Sequence, residues 1–543
     1  MNAVGVKGAI RSRASLLSLQ NALAVVFLGL LAAVVLAQAN PFLTLPNRDA
    51  GYNLYAGSLI LKGRLPYVDF WNTKGPAIYF LNALGLYFGH GLRWGVWAIE
   101  YLFLLGGILL LFVVMRRQWG AGAAAFGVIV AMAGLNAVFT GGNLTEEYAL
   151  FFNAVALYLF WSGSRQEAGG GGEAWRWLLI GCMAGLSFSF RANNIGVPAA
   201  IGLAIVLEAL LRRQYLGALR KVLLMGAGFL VPVGIGLLYF WARGALGDYV
   251  EAVYLYNIRY SGSRGHPVSL LFVGFAPDKV GWPAWIALAG ALLAVYGAIH
   301  KLARRENPSA FELMLAAVLW IEIVLSSVSW RMFTHYFISW MPAMALLSGW
   351  LLAEVVSWVR QKRLSGFMTG TRPGLLYGGL ILGVALVARA ELAQYGQTML
   401  QMALHRGEGI QYRDYMSDYV IRHTQPGDTI VTWPANAWIS FASERESAVR
   451  LVFYPVFDDG TITEQQGKGY LEELMTNRPA LIIDCSDLQN EIPSLDAHTR
   501  LIQHATRDFL FNPPYIEQVF DYVATHYHME TKSAKCVVYR RNP

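Results

Sequence analysis

Long apolar runs separated by short polar stretches recur along the chain as far as about Val387, and each run reads as a helix that crosses a membrane. The pattern predicts eleven such helices, over 17–39, 94–115, 121–138, 148–162, 177–190, 195–211, 222–241, 282–299, 311–330, 335–356 and 375–387. Several are shorter than the roughly 20 residues a bilayer asks for, which points to broken or shifted ends near a site. Pro76–His90 is also apolar, but its length and its Tyr79, Asn82 and Tyr87 suit a helix lying at the interface or partly re-entrant. Beyond Val387 the pattern changes. An amphipathic helix over Gly409–Thr424, a Pro426-Gly427-Asp428 turn, the strand Thr429–Trp433, a helix over Gly469–Thr476, the strand Ala480–Asp484, a helix over Tyr515–His526 and the strand Cys536–Tyr539 predict an α/β domain. The expected fold is therefore a polytopic α-helical membrane domain over 1–390 and a C-terminal soluble α/β domain over 391–543.

Composition agrees, with 55% apolar and 14% charged residues and a mean hydropathy of +0.41. The net charge of +8 does not read as nucleic-acid binding, because Lys and Arg fall in small clusters between apolar runs. Those clusters set topology. A cytoplasmic N-terminus places Arg116/Arg117, Arg165/Arg176, Arg212/Arg213/Arg220/Lys221, Lys301/Arg304/Arg305 and Arg360/Lys362/Arg363/Arg372 all inside. The odd count then puts the C-terminal domain outside, on an inner or plasma membrane. Lys7, Arg11 and Arg13 precede the first run without a cleavage-site pattern, so that run is expected to stay as an uncleaved span. Inward Ser164–Glu173, with Gly169–Gly172, reads as a flexible linker. No internal repeat stands out, which argues against a transporter built from two related halves. Cys485 and Cys536 follow strand-like runs outside the membrane, where a disulfide and two free buried thiols are both open.

The outward loops 40–93, 139–147, 191–194, 242–281 and 331–334 hold the polar residues that could carry chemistry. Asp49, beside Arg48 and ahead of Tyr52 and Tyr55, could accept a proton from a hydroxyl nucleophile, or else cap a helix or pair with Arg48. Glu146 and Glu147 could hold Mg²⁺ or Mn²⁺ with Asp49, orient an acceptor, or cap the helix they begin. Arg191 would be costly within hydrocarbon, about 2.5–3.5 kcal/mol on insertion scales, so a paired interior role is expected. Glu100 and Glu322, inside spans, read as paired interior polar groups without assigned chemistry.

The run Arg48-Asp49-Ala50-Gly51-Tyr52…Leu61-Lys62-Gly63…Pro66-Tyr67…Asp69…Trp71…Lys74-Gly75-Pro76-Ala77-Ile78-Tyr79 resembles the first outward loop of bacterial GT-C glycosyltransferases, the superfamily of the protein O-mannosyltransferases and the lipid A aminoarabinose transferase. Asn143-Leu144-Thr145-Glu146-Glu147 and Arg331-Met332-Phe333-Thr334-His335-Tyr336 are similar to its later loops. The resemblance implies inverting transfer of a sugar from a polyprenyl-phosphate donor to a lipid, glycan or protein acceptor, with Asp49 as general base. Lys74 matches the lysine of the family's Lys-Pro-Pro motif, which implies donor-phosphate binding, although Gly75 replaces a rigid proline. A lipid phosphate leaving group also needs cationic and hydrogen-bonding partners, for which Arg191, Arg259, Arg264 and Arg331, with His335 and Tyr336, lie on the right side. A ligase or polymerase using a diphosphate-linked lipid, and a flippase for a lipid-linked substrate, are the alternatives. The C-terminal domain is expected to shape acceptor access without an essential proton-transfer residue.

Overall fold

The computed structural model describes residues 21–164, 174–262, 268–361, 414–434, 436–452, 464–486, 492–506, 514–533 and 536–543, plus a few single positions between 392 and 398. Ten of the eleven expected spans fall on helices; the last, 375–387, lies outside the described residues. The helices are α1 (Asn21–Ala39), α2 (Arg48–Leu61), α3 (Ala77–Phe88), α4 (Arg93–Trp119), α5 (Ala121–Val138), α6 (Thr145–Ser164), α7 (Ala174–Phe190), α8 (Gly196–Arg212) and α9 (Tyr215–Ala242). They continue with α10 (Leu246–Val250), a π-helical turn (Glu251–Leu255), α11 (Tyr256–Gly262), α12 (Trp282–Ala303), α13 (Ala310–Ser327), a 3₁₀ segment (Thr334–Trp340) and α14 (Met341–Gln361).

Among the described residues, seven segments are long and apolar enough to cross a membrane: α1, α4, α5, α9, α12, α13 and Thr334–Val359. The protein is a multi-pass membrane protein. The outer side of α9 shows why apolar content and burial part company here, since Leu216, Leu223, Leu230, Leu238 and Trp241 all face out of the protein, as lipid contact requires. By contrast α6 buries Thr145, Glu146, Glu147 and Asn153, and the polar groups on its inner face explain why it falls short as a purely apolar span. At twelve residues, α3 is about 18 Å long, and it packs against α2 and α4.

Alternation of the long helices gathers the start of α4, the end of α5, the start of α6, the end of α7 and the start of α8 at one end of the bundle. The ends of α9 and α13 and the starts of α12 and α14 join them. Arg116, Arg117, Arg212, Lys301 and Arg304 lie at the opposite end.

The C-terminal part carries α15 (Tyr415–His423), β1 (Ile430–Trp433), α16 (Ala437–Ser443), α17 (Glu464–Asn477), β2 (Leu481–Asp484), α18 (Ala497–Thr506), α19 (Pro514–His526), β3 (Tyr527–Ser533) and β4 (Cys536–Arg541). The sheet order is β1-β2-β4-β3, with β1 and β2 parallel and the other pairs antiparallel. Inner strand β2 is buried throughout and β4 over Val537–Tyr539, which is why these stretches read as short continuous apolar runs. Cys485 and Cys536 are joined in a disulfide, resolving the two readings left by the sequence.

This part does not stand apart from the membrane helices. Ser447 N–H donates to the Tyr55 hydroxyl at 2.7 Å and Trp71 N–H to the Arg450 carbonyl at 2.9 Å. Glu446 pairs with Lys62 and Arg64 at 3.4 and 3.0 Å. Gly51 lies against Trp438 so closely that a β-carbon there would press on the α16 backbone. Gly51→Leu is therefore expected to push α2 off α16 and lower the thermal unfolding temperature of the purified protein, whereas an unchanged unfolding temperature would show that the contact does not hold α2.

Candidate active site

Asn47 starts α2 by accepting from Ala50 N–H at 2.7 Å, an N-cap that leaves Asp49 in the first turn. The same Asn47 side chain donates to the Thr140 carbonyl, and Asn53 donates to the Asn143 carbonyl at 2.8 Å. Asn143 and Asn82 exchange amide hydrogen bonds at 2.8 and 2.9 Å, and the Tyr148 hydroxyl donates to Asn143 at 3.0 Å. Through these bonds the first and second loops are held as one unit. The reciprocal pair of buried amides, Asn82 and Asn143, fixes the loop geometry behind Asp49.

Lys74 is placed with similar care. Its carbonyl accepts from the Tyr67 hydroxyl at 2.8 Å, and Tyr67 takes a positive φ of 70° to make the turn. Asn257, just past the π-helical turn, donates to the Thr73 carbonyl at 2.9 Å. Gly75 N–H donates to the Phe190 carbonyl at 3.1 Å, and a β-carbon at this position would run into the Ser189 carbonyl. The glycine that departs from Lys-Pro-Pro is thus what lets Lys74 sit beside the end of α7 and Arg191.

The result is two adjoining ion pairs. Lys74 Nζ lies 2.5 Å from Asp49 Oδ1, with 15% and 23% of the side chains exposed. Arg191 pairs with Glu146, whose other oxygen accepts from the Thr145 hydroxyl at 2.8 Å. The Arg191 guanidinium also stacks over the Tyr336 ring at 3.8 Å. His335 stands edge-on to Tyr336 at 4.8 Å, and the charges of both ion pairs act on it. Arg331 lies over the Tyr260 ring at 4.2 Å, at the end of a segment where Trp330 and Met332 both take positive φ. Non-glycine residues held this way are uncommon and gather at functional sites.

Burial alone would push the Asp49 carboxyl up. The neighbouring Lys74, His335 and Arg48 outweigh it and hold the group well below the ordinary carboxylate range. Asp49 therefore enters any reaction ionised.

The structure brings Asp49, Lys74, Glu146, Arg191, His335 and Tyr336 together, with Arg331 alongside on Tyr260. It separates Glu147 from them. Successive helical residues project about 100° apart, so Glu147 turns into the protein, fully buried, toward Glu100 and the Leu144 N–H at 3.4 Å. The expected acidic pair is thus not a pair. Asp49 and Glu146 hold Lys74 and Arg191 while Glu147 faces away, so the three carboxylates expected to share a Mg²⁺ or Mn²⁺ do not converge on one point. Among the described residues no group of three or more His, Cys, Asp or Glu side chains is placed to hold a metal ion. Arg259 pairs with Glu251, and Arg264 lies outside the described residues. Tyr67 stood in the quoted motif without a role, and sequence reasoning missed Asn257 and Tyr260, whose one visible signal was the aromatic density of Tyr249 to Tyr260.

The family model described as "Putative competence-induced protein Ccs4 N-terminal domain" matches residues 11–365. The chain belongs to that family. Its Ccs4-type region takes in every residue of the cluster just described and stops before the C-terminal sheet. No curated protein matches the chain. Among solved structures, ArnT from Cupriavidus metallidurans bound to undecaprenyl phosphate superposes with a TM-score of 0.59 at 15% identity, covering 95% of this chain and 97% of that one. The same protein in its apo state gives 0.59 at 16% identity, covering 96% and 98%. The Archaeoglobus fulgidus oligosaccharyltransferase tethered to an acceptor peptide gives 0.50 at 14%, covering 96% and 74%. The Ccs4-family chain shares the fold of the ArnT structures.

Proposed function

We propose that this chain is an integral membrane glycosyltransferase, transferring a sugar from a polyprenyl-phosphate donor to an acceptor hydroxyl on the outer face of the membrane. The observation that carries the reading is the Lys74–Asp49 ion pair, a phosphate-binding cation resting on the base it would release. The GT-C fold supports it, as does the undecaprenyl phosphate bound by the similar ArnT structure.

In this reading the donor phosphate competes for Lys74 and Arg191, which its charge attracts more strongly than a single carboxylate does. Asp49 then loses its main partner and becomes more basic just when donor is bound. It takes the proton of the acceptor hydroxyl as that oxygen bonds to the anomeric carbon from the side opposite the phosphate. The bond from that carbon to the phosphate oxygen breaks, its electron pair stays on the phosphate, and Lys74, Arg191 and Arg331 stabilise the added charge. His335 and Tyr336 would complete the phosphate shell by hydrogen bonding. Inversion follows from attack opposite the leaving group. The membrane part over 1–390 would supply this chemistry and the part over 391–543 would hold α2 and border the acceptor.

A flippase is disfavoured because the paired charges gather at one end of the bundle instead of its middle. The test is sugar transfer from a synthetic polyprenyl-phosphate sugar by purified protein, with Asp49→Asn as control; no transfer with any such donor overturns the reading. Orientation is checked separately. A cysteine at exposed Val68 should label from outside the cell and one at exposed Glu306 should not, and the reverse result would place the site on the inner face.

A further inference from the structure

A cavity of about 500 Å³ opens at the end of the bundle opposite Asp49, between α6, α7, α8, α9 and the start of α13. Its size falls in the roughly 300–1,000 Å³ range of small-molecule sites. Arg176, Arg212 and Lys221 line it together with Glu208 and Glu312. Both acids are engaged in holding helices. Glu208 pairs with Arg212 at 3.2 Å and accepts from Ala310 N–H at 3.2 Å, while Glu312 caps α13 through Ser309 and binds Lys301 at 2.6 Å. Lys221 rests over the Trp177 ring at 5.1 Å, an indole that itself lines the cavity, and Arg176 lies over the neighbouring Trp175 at 5.6 Å.

The surface beside these cations decides what kind of anion suits them. Leu178 and Leu179 on α7 and Leu219, Val222 and Leu223 on α9 are all exposed, and α7 and α9 pack along their lengths. Apolar side chains therefore run from the cationic mouth toward the middle of the bundle, matching a headgroup that carries acyl chains. Basic pockets between spanning helices on the cytoplasmic side suit anionic lipid headgroups. We propose that this cavity binds the phosphate headgroup of an anionic glycerophospholipid of the inner leaflet, through Lys221 and Arg176, with its acyl chains along α7 and α9.

The test is titration of detergent-purified full-length protein with cardiolipin, with phosphatidylcholine and with inorganic phosphate, read by native mass spectrometry. Cardiolipin should bind in preference to phosphatidylcholine, Lys221→Gln should weaken it about fivefold, the loss of one surface cation, and Lys221→Arg should keep it. Arg176→Gln should weaken it similarly. Equal binding of both lipids overturns the proposal, as does cardiolipin binding unchanged in Lys221→Gln. Inorganic phosphate competing fully for the site would assign it to a soluble anion and overturn the lipid reading. Sugar transfer at the opposite end should be unchanged in Lys221→Gln.

Discussion

Asp49→Asn should lower turnover about 10²- to 10⁴-fold while leaving donor binding intact. The change keeps size and most hydrogen bonds and removes proton affinity. It also frees Lys74 from its carboxylate at 2.5 Å, so donor affinity should equal or exceed that of the wild type. That combination is specific. A residue that merely propped up the loop would, when changed, weaken binding along with turnover. The wild-type pH profile adds a second handle. Burial raises the Asp49 carboxyl, but Lys74, His335 and Arg48 together bring it below its ordinary value of 3.8, so the free enzyme should show no acid limb from Asp49 at mildly acidic pH. The sign for stability follows. A depressed carboxyl favours the folded state above its ordinary value, and that contribution fades as pH falls toward the depressed one. Wild-type turnover by an Asp49→Asn protein that binds donor would make Asp49 a structural acid.

The span pattern was legible because a bilayer imposes length and polarity on every crossing helix, and Arg clusters mark one end of each. Asp49 and Lys74 were legible as charges in the loop after the first apolar run, and their likeness to a known motif gave them roles to test. Three features were not. Glu147 is chemically identical to Glu146, and the one-residue rotation that buries it against Glu100 is a matter of helix phase that a loop reading cannot supply. Gly75 looked like a weakness in the motif until the Ser189 carbonyl was seen to occupy the space of its absent side chain. The seating of Trp438 on Gly51 joins residues far apart in the chain, and neither has a local pattern that names the other. The C-terminal part is thus packed, through α16, behind the helix that bears Asp49.

Lys74→Ala should behave unlike Asp49→Asn, and the contrast separates the two roles. In the proposed reaction the ammonium is a partner of the donor phosphate in both ground and transition states, so on its removal KM should rise and kcat fall together. Losing one such electrostatic donor costs about 10²- to 10³-fold in rate. The Asp49 carboxyl should move as well. With Lys74 gone, burial acts against His335 and Arg48 alone, and the group should rise from its depressed position. Residual kcat/KM in Lys74→Ala should therefore climb with pH over an acid limb that the wild type lacks, since only the ionised carboxylate can accept the proton. Adding Asp49→Asn to Lys74→Ala should abolish that limb. A Lys74→Ala enzyme with wild-type KM and a flat profile at acidic pH would mean that the lysine neither touches the donor nor governs Asp49.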